Sequence, residues 1–450
     1  MRLFKVDAIC LFVFILVLLP TNIAASKRCA LPNPNRSFES ARPNEVELDA
    51  SIVAEAIAYA STHGRISVQV FRNNCRVATG PLDPLTDDIP NNLWSSTKSV
   101  IGILTGIAHD KGLLRPDDPI GKYLPSGLGW GDAAHRAITI KHLLTQTSGM
   151  EEAIISEAGT VLIDPSVPQE ALSQPLIHQP GSHFDYSQRG PDLLAYVVQR
   201  AVGQDLQQFA QRNLFDPIGI PSNSYFWLRD RTANTYGYAW LFLPPTQLAK
   251  LGLLMQNLGL WNGQRVLSQE WVRDVAKSSP RNPCYGYLFW TNAGQPCTGP
   301  NFPARQTFNR YAVPSLPQDA FFMVGFFHQT NFMIPSLGIT VTWTGILGDK
   351  EANLGALLSA APADLYHNFF RILMRGVKDV DIPDPGPLHD PINFEVNPTD
   401  FLKPSVLIND LNSNPNCNVL FCNRTVPTAG IIANLESIAS AALGLLGGLL

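Results

Sequence analysis

The chain has 450 residues, of which 45% are hydrophobic and 16% charged, and carries a formal net charge of -4 at pH 7. Such a length and apolar share predict a well-buried body of one large domain or two apposed ones. The nearly balanced charge and the lack of any long Lys/Arg run exclude the electrostatic footprint of a nucleic-acid partner.

At the amino end, Arg2 and Lys5 precede the apolar run AICLFVFILVLL, and Ala24 and Ala25 offer a cleavage point. Residues 1–25 therefore read as an export signal, the run being too short to span a bilayer comfortably. Beyond it lie six cysteines: Cys29, Cys75, Cys284, Cys297, Cys417 and Cys422. The even count fits an oxidising compartment, and the short spacings pair Cys284 with Cys297 and Cys417 with Cys422, leaving Cys29 for Cys75. Asn35-Arg-Ser and Asn423-Arg-Thr are glycan acceptor sequences, which agree with a secreted or cell-surface protein.

The stretch EVELDASIVAEAIAYAS, Glu45 to Ser61, has helical apolar spacing, and GRISVQVFRNNCRVATG reads as two strands about an Asn-rich turn. NNLWSSTKSVIGILTGIAHDKGLL then places Ser95 three residues before Lys98 where an apolar helix begins, with Gly112 as its stop signal. From about 138 to 278 helical patterns dominate. Strand character returns in YGYLFWTN, AFFMVGFF, QTNFMIPS and GITVTWTG, and a last helix runs roughly from Ala361 to Arg375. Strands at both ends with helices between predict an α/β fold: one mixed, largely antiparallel sheet flanked by helices, with a helical lobe inserted and a cleft between them. The expected organisation is a body over 26–380, a Pro/Asn-rich linker over 381–428 and an apolar tail over 429–450.

The pair Ser95 and Lys98 admits two readings. A serine before an apolar run is a preferred helix cap, and lysine is common on helix surfaces. On one helical face, however, the two side chains are neighbours, and a lysine whose pKa is depressed by burial can accept the serine's proton. Ser96 is followed three later by Ser99, so only Ser95 has the lysine in register. The chain lacks a GxSxG elbow, HExxH and CxxC, and its nine His are scattered, so no metal or cofactor is expected.

The motif has company. HQPGSHFDYSQRGPDLLAYVVQRAVGQDL carries Tyr186, Ser187 and Gln188 ahead of a helix, and TIKHLLTQTSGM lies between the two motifs. In this order, from about 45 to 375, the chain resembles the class C-like β-lactamases and related penicillin-recognising serine hydrolases. The resemblance implies an acyl-enzyme on Ser95, with Lys98 and Tyr186 sharing proton transfer and Tyr186 as general base. It also implies that Gln188, where many relatives carry Asn, orients substrate. The third family element, a KTG-like strand, corresponds to Phe326, Phe327, His328 and Gln329, which makes His328 and Gln329 candidate substrate-binding residues and a backbone N–H near Gln329 a candidate oxyanion donor. Lysine is absent from this strand, so a small ester or amide is a better expected substrate than a carboxylate-bearing β-lactam. The alternative is a non-catalytic binding or assembly protein on the same fold.

The tail GIIANLESIASAALGLLGGLL leaves three readings open. It can form a marginal membrane span, a glycolipid-anchor signal, or a helix docking through Ile431, Leu435, Ile438, Leu443 and Leu446.

Overall fold

A computed structural model describes residues 26–34, 36–300, 305–345, 364–388 and 403–449. The expected export signal and the acceptor Asn35 lie outside the described residues.

Helix α1 (Ala50–Thr62) starts at Asp49, whose carboxylate accepts from the backbone N–H groups of Ser51 and Ile52. It feeds a hairpin, β1 (Arg65–Arg72) and β2 (Cys75–Thr79), closed by Asn73 and Asn74 at φ 51° and 67°. Two successive left-handed residues make the turn that best matches strand twist, which is why Asn-Asn stands there. The late strands follow as β3 (Trp290–Thr291), β4 (Phe321–Gly325), β5 (Gln329–Ile334) and β6 (Ile339–Gly345). The six form one antiparallel sheet in the order β2-β1-β6-β5-β4-β3, so strands from both ends of the chain meet at the β1–β6 seam, where Val70 faces Val341. The expected sheet, built from the two ends, is what the structure has.

Alternation along β5 and β6 assigns the two faces. Phe332 and Trp343 pack on Tyr366, with Phe370 against the former and Phe369 against the latter, from helix α7 (Asp364–Arg375). Asn331 points the other way, where its amide donates to Leu248 O of helix α6 (Pro245–Gln256). The inserted lobe contributes helices α2 (Ser96–Asp110), α3 (Ile154–Gly159), α4 (Val167–Ser173) and α5 (Arg189–Val202).

Some expected elements change. YGYLFWTN yields only the two-residue β3, because Leu288 turns into the left-handed region at φ 58°. AFFMVGFF is a strand only as far as Gly325; Phe327 and His328, at φ 56° and 59°, turn the chain back into β5. Part of the stretch read as linker is built into the body: helix α8 (Pro404–Leu411) packs on α3 and α4. Cys29–Cys75, Cys284–Cys297 and Cys417–Cys422 are disulfide-paired, as their spacing predicted.

The tail forms helix α9 (Ala429–Leu449), which packs on the strand Phe226–Trp227. Its seat is not the apolar stripe that the docking reading named. Asn434 bonds the backbone N and O of Arg229 at 2.8 and 3.0 Å, and a Cβ on Gly430 would stand 1.6 Å from Asp230 O. Ile431, Leu435, Ile438, Leu443 and Leu446 are exposed instead. Close backbone approach needs small residues, so the narrow side of the helix docks. Among the described residues α9 is the one helix long and apolar enough to cross a membrane.

Candidate active site

Helix α2 is buried almost from end to end, and its first turn presents the chemistry. Ser95 occupies the N-cap position but its hydroxyl caps no backbone N–H. Lys98 Nζ instead lies 2.9 Å from Ser95 Oγ. The same ammonium nitrogen donates to Gln188 Oε1 at 2.5 Å and to Tyr238 O at 3.2 Å, and stands 4.7 Å from the centre of the Tyr186 ring. Lys98 is 1% exposed, and this burial pushes its pKa down from 10.5 to about 7, against the opposing pull of Asp192 and Glu157. Those two carboxyls are themselves raised by burial, Asp192 to about 6 and Glu157 to about 8.

These contacts decide what Lys98 can do. The oxygens of Gln188 and Tyr238 can only accept, so a neutral amine gives its two N–H bonds to them and turns its lone pair toward Ser95. Burial raises Tyr186 well above the ordinary value of 10, although a hydrogen bond with Ser95 opposes the shift. The phenol is therefore a proton donor at neutral pH, and a tyrosinate base would be costly.

The approach to Ser95 is constrained by its neighbour. Trp94 sits at φ 47°, an unfavourable region for a bulky side chain, and Asn92 Oδ1 holds it there by accepting from Trp94 N and Trp240 N. The Trp94 ring packs edge-on against Phe326 and Phe327. Beside Ser95 opens an apolar cavity of about 110 Å³, walled by Trp94, Ile154, Ile155, Ala158 and Phe326, with Tyr186 and Gln188 at its polar side. None of its described lining residues is cationic.

The structure brings Ser95, Lys98, Tyr186 and Gln188 together. It does not bring His328 or Gln329 to the cavity. His328 is buried and meets Tyr366 Oη through Nδ1 at 2.6 Å, while the Gln329 amide bonds the backbone of Gly345. The Gln329 carbonyl accepts from Ser96 Oγ at 2.7 Å, next to Ser95. The turn at Phe327 and His328 causes this correction, because it shifts the cavity-facing position of the strand pair to Phe326. A Cβ on Gly325 would stand 2.1 Å from Leu93 O and 3.2 Å from Ser96 N, so this glycine lets β4 abut the start of α2.

Sequence reasoning missed the buried charges behind the site. Arg189, adjacent to Gln188, is ringed by Asp164, Glu170, Asp192 and Asp410 at 2.9 to 3.1 Å. Glu157 Oε2 accepts from Gln188 N at 2.8 Å. The only local signal was single charged residues set in otherwise apolar stretches, which does not separate a buried cluster from a solvated face.

Comparison with known proteins follows the same lines. Monacolin J acid methylbutanoyltransferase of Aspergillus terreus is 28% identical over 177 residues, covering 35% of this chain and 42% of that protein. Protein flp of Staphylococcus aureus is 28% identical over 134 residues, 29% of this chain and 27% of its own. The chain thus matches less than half the length of either curated relative. The crystal structure of a family VIII carboxylesterase superposes with a TM-score of 0.51 at 15% identity, over 72% of this chain and 96% of that one. The family model described as Beta-lactamase matches residues 58–345, and with the sheet and helices described above the chain belongs to the Beta-lactamase family.

Proposed function

We propose that this protein is an acyl-transferring serine hydrolase that cleaves small esters or amides carrying an apolar acyl group. The contact of 2.9 Å between a buried Lys98 Nζ and Ser95 Oγ carries the reading. The Ser95 oxygen attacks the acyl carbonyl carbon while its proton passes to the Lys98 lone pair. As the bond to the leaving group breaks, Tyr186 gives that group its proton and recovers one from the Lys98 ammonium. The products are the acyl ester of Ser95 and the free alcohol or amine. Water, or an acceptor alcohol, then attacks the ester, its proton passing to Lys98 and Ser95 regaining its own. Lys98, rather than Tyr186, is the base because its pKa is near neutral and the phenol's is not.

The apolar walls and uncharged lining support an acyl chain over a carboxylate-bearing substrate. Transfer to an alcohol is the second reading, favoured by the name of the Aspergillus relative. Export belongs to the same proposal, supported by the disulfides and by the exposed acceptor Asn423. The test compares wild type with Ser95→Ala on p-nitrophenyl esters and by intact mass after a fluorophosphonate. Wild type is expected to turn over ester and gain one adduct and the variant to do neither; equal behaviour of the two proteins overturns the reading.

A further inference from the structure

The family match ends at residue 345, yet a segment beyond it closes over the back of the active site. Helix α8 and the disulfide-clipped loop through Cys422 form a strap across α3 and α4. At its start Lys403 Nζ donates to Glu152 O at 2.6 Å, and at its end Cys422 packs at Pro165 O. Val406 is fully buried between these points.

Asp410 is the strap's inward charge. It is 0% exposed, and its Oδ1 accepts from Arg189 Nε at 3.1 Å and from Gln174 Nε2 at 3.3 Å. Two routes lead from Arg189 to the nucleophile. Along the chain, the next residue is Gln188, whose side chain accepts from Lys98. Through space, Arg189 Nη1 holds Asp192, whose other oxygen accepts from Gly237 N at 2.7 Å and Tyr238 N at 3.3 Å; the Tyr238 carbonyl is the other acceptor of Lys98 beside Gln188. The strap also rests on α3, which supplies Ile154, Ile155 and Ala158 to the cavity wall and Glu157 to Gln188 N.

We propose that the C-terminal strap is a working part of the active site, with Asp410 a positioning residue that fixes Arg189 and so the two acceptors that orient Lys98. The proposal rests on the reading of Lys98 as the proton acceptor for Ser95. It goes beyond that reading in assigning a role to a segment outside the family match.

Charge gives the direction of the effect. The single guanidinium faces Asp164, Glu170, Asp192 and Asp410, and Asp164 also accepts from Tyr236 Oη at 2.7 Å. Lys98 itself feels Asp192 and Glu157. Asp410 is among the groups that raise Glu157. Removing its charge lets Glu157 ionise at lower pH, which moves negative charge toward Lys98 and favours the ammonium.

The experiment uses the full chain with Asp410→Asn, Asp410→Glu and Val406→Ala, the last thinning the strap without touching a charge. Lys98 is titrated by NMR of 13Cε-labelled lysine, its signal assigned with Lys98→Arg, and kcat/KM on a p-nitrophenyl ester is followed with pH. For Asp410→Asn the Lys98 titration and the acidic limb are expected to rise together by about half a pH unit, lowering kcat/KM at pH 7 about two- to three-fold. Asp410→Glu is expected to restore most of this, and Val406→Ala to lower thermal stability while leaving the titration in place. A Lys98 titration unchanged in Asp410→Asn overturns the proposal whatever happens to stability. If Asp410→Asn does not fold, Asp410→Ser is read in its place, and an unchanged Lys98 titration there overturns the proposal. The NMR titration needs no turnover, so an inactive wild type would count against the hydrolase reading alone.

Discussion

If Lys98 takes the Ser95 proton, the enzyme's rate must follow the neutral fraction of one buried amine. The structure removes Lys98 from water, and the resulting drop from 10.5 to about 7 amounts to roughly 5 kcal/mol in favour of the neutral form. Half of the molecules are then competent near pH 7, about a tenth at pH 6 and about nine tenths at pH 8. An ordinary lysine would be competent in less than about one molecule in a thousand at pH 7. The assay is kcat/KM for a non-ionising ester between pH 5 and 9.5, in buffers of constant ionic strength. A limb rising about tenfold per pH unit below 6 and levelling by pH 8 is expected. Glu157 titrates near 8 and its charge favours the ammonium, so the limb bends over more gradually than for an isolated group. Lys98→Arg keeps the charge but offers no lone pair, and should cost about 10²-fold or more at every pH. Two results would refute the reasoning: a rate that keeps climbing tenfold per pH unit past 9, or an Arg variant with the same limb as wild type.

Phe326→Ala widens the apolar cavity beside Ser95; if that cavity holds the acyl chain, the preferred ester chain should move upward in length, with kcat/KM for the shortest acyl groups falling about tenfold, which a series of p-nitrophenyl esters reads directly. Gly325→Ala puts a methyl group 2.1 Å from Leu93 O, so strand β4 must retreat from the start of α2; chemical denaturation should show a loss of about 1–3 kcal/mol, together with lower activity.

Some of the site was legible one residue at a time. The Ser95/Lys98 spacing needs only a helix to bring both groups to one face, and the apolar run after Ser95 already specified that helix. The NN turn, the β-branched strands and the cysteine spacings are equally local. Tyr186 and Gln188 were legible through their order in the chain relative to that pair.

His328 and Gln329 were misread because the face of a strand is set by where its turn falls. Two left-handed residues at Phe327 and His328 moved the cavity position to Phe326, and no pattern in FFHQTN distinguishes the two registers. The strained Trp94 was hidden for a related reason: the Asn92 oxygen that holds its backbone is shared with the distant Trp240 N, and its ring packs against Phe326 from the turn after β4. The depressed pKa of Lys98 could be required by the chemistry but not read from the letters, since it arises from enclosure by Tyr186, Gln188 and Tyr238.

Arg189 and Asp410 stand 221 positions apart in sequence and in contact in the fold. By itself the sequence determined most of the elements and the placing of Ser95 and Lys98 on one helical face, because these follow from periodicity within a few residues. Only the tertiary structure decided which charges are buried together, since desolvation depends on what the whole chain packs around a group and not on its neighbours in sequence.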